Sequence, residues 1–340
     1  MRAALLPLIA VTMGDPCGIG PEIVLKALAD RTLREHCRPV VFGSVDVLRR
    51  VAAQATLPPL PALPLLLRPV RDMDEAANAG EEGIAVWDVP ADAAKIVVGV
   101  EGAEGGRVAV ECVRAAVELA LAGTCPAIAT APLNKAAMRL AGFHWAGHTE
   151  LLAELSGTKK YTMLLVTPTL RVAHVSTHVS LREAIERVRG ERIGDVVALL
   201  GDALRRMGFA RPRIAVAGLN PHAGEGGLFG QEEAQIIGPA VAAARRAGHD
   251  ASGPYPPDTV FYRASRGDFD GVVAMYHDQG HIPVKLTGFE TGVNVSLGLP
   301  FVRTSVDHGT AFDIAGKGIA SPSSLTAAIL LAARMAQKKL

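Results

Sequence analysis

Between Tyr276 and Asp313 the run YHDQGHIPVKLTGFETGVNVSLGLPFVRTSVDHGTAFD gathers His277, Asp278, Lys285, Asn294, Arg303, Asp307 and His308 among glycines and prolines. Imidazoles and carboxylates bind metal ions and move protons, while a lysine, an arginine and an amide hold phosphate or carboxylate groups. A segment that only packs would repeat apolar residues at helix or strand period. Glycine instead lets the backbone approach a ligand closely, and proline stiffens the turns between such points. The run reads as an active site on a loop-rich scaffold.

Three histidines share one context. His178 ends the apolar stretch VAHVST, His222 follows IAVAGLN and His277 follows VVAMY. Each stretch reads as a buried strand, so three loops can converge on one ion. Three neutral imidazoles with an open position make a catalytic site for zinc or a similar divalent ion. A lone loop histidine more often only hydrogen-bonds, and the spacing matches no short local metal signature. His174 lies on the same expected strand as His178, pointing to the same side, and is given a structural role. His36, His144 and His249 read as surface or turn residues, and His281 and His308 stay open.

Lys285 and Arg303, with Asn294 between them, suit a phosphate or carboxylate, although either cation alone would read as half of a surface salt bridge. GHTELL puts His148 and Thr149 at a helix start, another anion-friendly position. The loop GDPCGIGPE (14–22) joins a strand to a helix N-terminus. Its glycines at 14, 18 and 20 do not make the dinucleotide fingerprint, and it serves equally well as a tight turn. No cofactor-binding residue is assigned.

The elements that must position these groups alternate. Strands are expected at 6–13, 39–44, 126–132, 213–219 and 271–276, and helices at 21–30, 45–54 and 106–123. Continuous apolar strands alternating with helices imply an α/β fold with mostly parallel sheets. Residues 162–179 read as two antiparallel strands around Pro168 and Thr169. Ser180 and Glu183 form a capping box, and the C-terminal SPSSLTAAILLAARMAQ reads as a closing helix. The Pro/Ala-rich stretch 57–67 reads as a surface connection.

Composition narrows the classes. A chain of 340 residues is long for one core, so two lobes are expected. With 35 basic against 34 acidic side chains, no global field draws it to nucleic acid or an acidic membrane surface. No apolar run reaches the ~18 residues of a membrane helix. The start MRAALLPLIAV imitates a short signal peptide, yet no cleavage site follows and it reads as part of the fold. Cys17, Cys37, Cys112 and Cys125 form no CxxC pair, which points to reduced thiols in the cytoplasm.

Taken in order, GDPCGIGPE, APLNK, GHTE, GLNPHAGEGG, YHDQG and GVNVSLGLPFVRTSVDHGTAFDIAGKG resemble the 4-hydroxythreonine-4-phosphate dehydrogenase family of vitamin B6 biosynthesis, over nearly the whole chain. The resemblance implies two α/β/α lobes of the isocitrate/isopropylmalate dehydrogenase kind with a cleft between them. Their expected extents are 1–136 plus 309–340, and 137–308, the second carrying the metal ligands and dimer interface. It implies a homodimer using NAD and a divalent metal (zinc, with magnesium or cobalt as alternatives). His178 and His222 of one subunit, with His277 of the other, match the metal ligands. His148, Thr149, Lys285, Asn294 and Arg303 match substrate-contacting positions. Lys285 and Asp278 are the catalytic candidates: Lys285 for proton transfer or anion binding, Asp278, like Asp307, for orienting the site.

The implied reaction is oxidation with decarboxylation of 4-phosphohydroxy-L-threonine to 3-amino-2-oxopropyl phosphate. One departure bears on the substrate. In the biosynthetic branch the metal loop reads HDQG-Leu-Pro-Val-Leu-Lys, whereas this chain has HDQG-His281-Ile-Pro-Val-Lys285. The variant resembles paralogues acting on threonate or erythronate 4-phosphate; other relatives oxidise a terephthalate cis-dihydrodiol. A zinc hydrolase with Glu225 or Asp278 as base is the rival from another class, as is a non-catalytic binding protein. Hydrolysis leaves Lys285 and Arg303 without a task.

Overall fold

The computed structural model describes residues 6–54, 66–77, 83–145, 147–288 and 290–337. Most of the stretch 57–67 and the first five residues lie outside them. The chain divides into two compact units, Met1–Thr158 with Leu299–Gln337, and Lys159–Gly298.

The first unit contains β1 (Leu8–Thr12), α1 (Gly20–Ala29), β2 (Arg38–Gly43), α2 (Val45–Ala52), β3 (Leu66–Val70), α3 (Met73–Ala77) and β4 (Gly83–Asp88). It continues with α4 (Ala103–Leu121), β5 (Ala127–Thr130), α5 (Lys135–Leu140) and α6 (His148–Leu155). The second unit runs through β6 (Thr162–Val166), β7 (Arg171–His174), α7 (Leu181–Glu186), α8 (Gly190–Met207), β8 (Ile214–Ala217) and α9 (Gly238–Arg246). It then adds β9 (Ala251–Tyr255), α10 (Pro257–Ser265), β10 (Gly271–Ala274), α11 (His277–Gly288) and β11 (Val293–Leu297). The chain returns to the first unit with β12 (Val302–Val306) and α12 (Ser323–Gln337).

Strand order in the first unit is β3-β4-β2-β1-β5-β12, with every pair parallel. Central strands of such a sheet meet helices on their faces and therefore read as unbroken apolar runs. Ile9, Val11, Val40, Val41 and Ile128 are fully buried accordingly, each contributing about 1.5–3 kcal/mol. Helices α4 and α12 both pack against β1 and β5. The order in the second unit is β11-β6-β7-β10-β8-β9: β6 runs antiparallel to β7 and β11, and the remaining pairs are parallel. Its core joins Leu165, Val172, Ala215, Phe261 and Val272. No described helix is long and apolar enough to cross a membrane.

Three features differ from expectation. The units change at 158/159 and 298/299, not at 136/137 and 308/309, because α6 packs on α4 and β12 pairs with β5. Residues 277–288, expected as loop, form α11 despite Pro283 inside it. Ser180 Oγ accepts the Glu183 N–H at 3.2 Å, but the Glu183 carboxylate pairs with Arg187 rather than closing the capping box.

Candidate active site

In the second unit, β10 ends two residues before α11, whose first residue is His277. Its Nδ1 lies 2.7 Å from Asp278 Oδ1. A carboxylate only accepts, so Nδ1 carries the hydrogen and the Nε2 lone pair is left for a metal ion. His281 Nδ1 lies 3.0 Å from the His277 carbonyl, to which it must donate. His277, His281 and Lys285 recur every four residues and so share one face of α11. The His178 ring centroid is 5.6 Å from that of His277. Both line a cavity of about 480 Å³ together with Ser180, Leu181, Tyr276 and Asp278.

His178 does not lie on a strand. β7 stops at His174; beyond it Val175 N–H donates to the Ala274 carbonyl and Ser176 Oγ to that of Met275, carrying the chain along β10 outside the ladder. His178 thus sits exposed in a loop, while His174 is fully buried. Burial, aided by His281, pushes the His174 pKa down to about 3, so its ring is neutral. A Cβ at Gly280 would come within 2.4 Å of His174 Nε2, which makes that glycine the space for the ring.

His222 follows β8 in a left-handed turn, with φ of 52° at His222, 54° at Ala223 and 43° at Glu225. Glu233 holds this turn from inside. Its Oε1 accepts the N–H groups of Leu219 and Asn220, both at 2.7 Å. Burial would raise the Glu233 pKa, but the donors from Asn220 and Leu219 hold it below the usual carboxylate range. Gln279 bridges two loops, accepting from Met275 N–H at 2.7 Å and donating to the Gly218 carbonyl at 2.8 Å. The sequence singled out neither residue; the available signal was the place of Gln279 inside YHDQG and of Glu233 six residues beyond GLNPHAGEGG. Among the described residues, no three His, Cys, Asp or Glu side chains are grouped to hold a metal ion. One chain therefore brings His178 and His277 together without completing a three-ligand set with His222.

Asn294 is half-buried on β11, its Oδ1 without a hydrogen-bond partner among the described residues. In the first unit, Arg303 on β12 is only 2% exposed, and its Nη2 donates to Thr130 Oγ1 at 2.7 Å. Burial lowers its pKa to about 9 against the pull of Glu150, so the guanidinium stays charged at neutral pH. His148 opens α6, with Thr149 next to it. Desolvation, then the charge of Arg303, push the His148 pKa well below its usual value. A neutral imidazole beside a buried cation is a donor set for an anion, and His148 Nε2 has no hydrogen-bond partner among the described residues. The GDPCGIGPE glycines, by contrast, meet backbone. A Cβ at Gly14 would lie 2.3 Å from the Pro132 carbonyl, and one at Gly20 would lie 2.2 Å from that of Met13. Close packing, not ligand approach, accounts for them.

Comparison with known proteins places the whole chain, not the individual residues. Residues 35–332 match the family model described as pyridoxal phosphate biosynthetic protein PdxA. The chain is 50% identical over 330 residues to a D-threonate 4-phosphate dehydrogenase of Salmonella typhimurium, covering 96% of this chain and 98% of that one. It is 48% identical over 328 residues to a 4-hydroxythreonine-4-phosphate dehydrogenase of Desulfosudis oleivorans, covering 96% and 95%. A crystal structure of 4-hydroxythreonine-4-phosphate dehydrogenase from Klebsiella pneumoniae superposes with a TM-score of 0.87 at 50% identity, covering 97% of this chain and all of that one. With the family model spanning residues 35–332 and relatives at 48–50% identity over 96–97% of the chain named dehydrogenases, the chain is an oxidoreductase and belongs to the PdxA family.

Proposed function

We propose that the chain is an NAD-dependent, divalent-metal-dependent dehydrogenase of 4-phosphorylated four-carbon hydroxy acids. It oxidises the hydroxyl β to the carboxylate, and the carboxylate then leaves as CO2. The class includes 4-phosphohydroxy-L-threonine, which yields 3-amino-2-oxopropyl phosphate for pyridoxal phosphate synthesis, and D-threonate 4-phosphate. The carrying observation is the His277–Asp278 pair at 2.7 Å, in which the carboxylate takes the Nδ1 hydrogen and leaves the His277 Nε2 lone pair for a metal ion.

Imidazole donors with a carboxylate fixing one tautomer fit zinc, with cobalt or magnesium as substitutes. His178, His222 and His277 would hold the ion. When bound, a divalent ion lowers the pKa of a substrate hydroxyl and polarises the ketone that replaces it. Asp278 keeps the proton on His277 Nδ1. Lys285, on the same face of α11, moves a proton or binds an anion. Arg303 and His148 bind phosphate or carboxylate with Thr149, and Asn294 adds an amide. The reading includes a homodimer in which His277 serves the partner's site. In its support, Ile282 and Leu286 on α11 are 58% and 83% exposed, apolar surface that a second copy would cover. A cytoplasmic setting fits four buried, unpaired cysteines.

Within the class, the HDQGHIPVK loop favours D-threonate 4-phosphate, while proteins of both names stand at 48–50% identity. The two substrates differ at C2, hydroxyl against ammonium. Measuring kcat/KM for each under one condition tests the choice: a ratio favouring the sugar acid supports it, and a ratio favouring the amino acid places the chain in vitamin B6 synthesis.

A further inference from the structure

His222 stands on backbone that L-residues avoid. From His222 to Gly226, φ runs 52°, 54°, 81°, 43° and 67°. Each non-glycine residue there costs about 1–2 kcal/mol, so the turn persists only if something holds it. Glu233 is 6% exposed and occupies the inside of the turn. Besides the Leu219 and Asn220 N–H groups, it accepts from Asn220 Nδ2 at 3.0 Å. A Cβ on Gly224 would meet its Oε2 at 2.8 Å, and one on Gly218 its Oε1 at 3.1 Å.

Gln279, 8% exposed, carries the same support to the other histidine. Its carbonyl oxygen takes the Met275 N–H and its amide reaches the Gly218 carbonyl. Met275 lies two residues before His277, and Asn220 two before His222. Two buried side chains and the Gly218–Leu219 peptide therefore connect both histidine-bearing segments. A purely space-filling role would suit apolar residues at these positions, whereas here every polar atom of Gln279 is matched.

We propose that Glu233 and Gln279 are positioning residues that set the imidazole of His222 for this chain's divalent metal ion and that of His277 for the ion in the partner's site. They act through the main chain and touch neither metal nor substrate. The proposal rests on the metal-dependent reading above.

The test titrates Zn²⁺ and Co²⁺ into metal-free full-length protein, wild type, Gln279→Met and Glu233→Gln. It reads Kd by calorimetry, the visible spectrum of the cobalt form, the thermal midpoint, and kcat and KM for NAD. Outer partners of ligating histidines typically contribute about 10–100-fold in metal affinity. We expect Kd to weaken by that factor in each variant, with an altered cobalt spectrum, a lower kcat and an unchanged KM for NAD. A lowered thermal midpoint with wild-type Kd and spectrum would overturn the proposal and leave a structural role only. If Gln279→Met does not fold, the isosteric Glu233→Gln decides the matter by the same criteria. Wild-type protein that binds neither ion would overturn the metal reading itself, and the proposal with it.

Discussion

The imidazole of His281 lies flat on that of His277, with ring centroids 3.5 Å apart and planes inclined by 12°. Behind it, the His174 ring centroid is 4.7 Å from His281. Asp278 fixes the edge of the His277 ring and His281 covers its face. The orientation of one imidazole is thus set by two neighbours, and one of them is among the residues by which this loop departs from the biosynthetic-branch pattern.

Replacing that neighbour therefore changes substrate choice more than stability. His281→Leu removes the stack and the bond to the His277 carbonyl at a half-buried surface position. The ratio of kcat/KM for D-threonate 4-phosphate over 4-phosphohydroxy-L-threonine is expected to fall by about tenfold, or ~1.4 kcal/mol. Steady-state kinetics on both substrates checks this. An unchanged ratio would remove His281 from substrate selection.

Arg303→Lys keeps the charge but loses the guanidinium fork that reaches Thr130. Charge-assisted hydrogen bonds contribute roughly 1.5–3 kcal/mol, so KM for the phosphorylated substrate is expected to rise at least about tenfold. The variant should retain its KM for NAD. Equal losses in both would point to a folding defect instead.

Asp15 supplies a pH signature. The carboxyl is fully buried, its Oδ1 accepts the Cys17 N–H at 2.9 Å, and Oδ2 has no hydrogen-bond partner among the described residues. Desolvation, with a small push from Glu101, raises its pKa from 3.8 to about 6. The folded state then binds the proton more tightly than the unfolded state. Stability from this group is complete below pH 3.8, falls as pH rises through the folded value of about 6, and is absent above it. Asp15→Asn should gain on wild type by up to roughly 3 kcal/mol between these limits. Denaturant midpoints of both proteins across that window measure it. A constant difference would mean that Asp15 titrates alike in both states.

The parts of the fold that could be read in the sequence follow from burial. β8 and β10 are buried and apolar throughout, and β1 and β5 are apolar up to their last residues, Thr12 and Thr130. β3 and β9 went unread because Pro69 and the Gly253-Pro254 pair look like breakers; both are edge strands, where a missing donor is tolerated. α11 was hidden by Gly280 and Pro283 for the same reason. The histidines were visible as polar residues after apolar runs, whereas Gln279 acts through a contact 61 residues away that no local pattern encodes.

The most direct test of the account is NADH formation from D-threonate 4-phosphate or 4-phosphohydroxy-L-threonine by zinc-supplemented protein, alongside a chelator-treated sample and the His277→Ala variant. The account predicts NADH with an equivalent amount of CO2 from at least one substrate. It also predicts loss of activity on chelation, recovery on adding metal back, and no comparable recovery in the variant. NADH formation unaffected by chelation and by His277→Ala would contradict the metal-dependent reading. No NADH from any phosphorylated four-carbon acid would contradict the proposed substrate class.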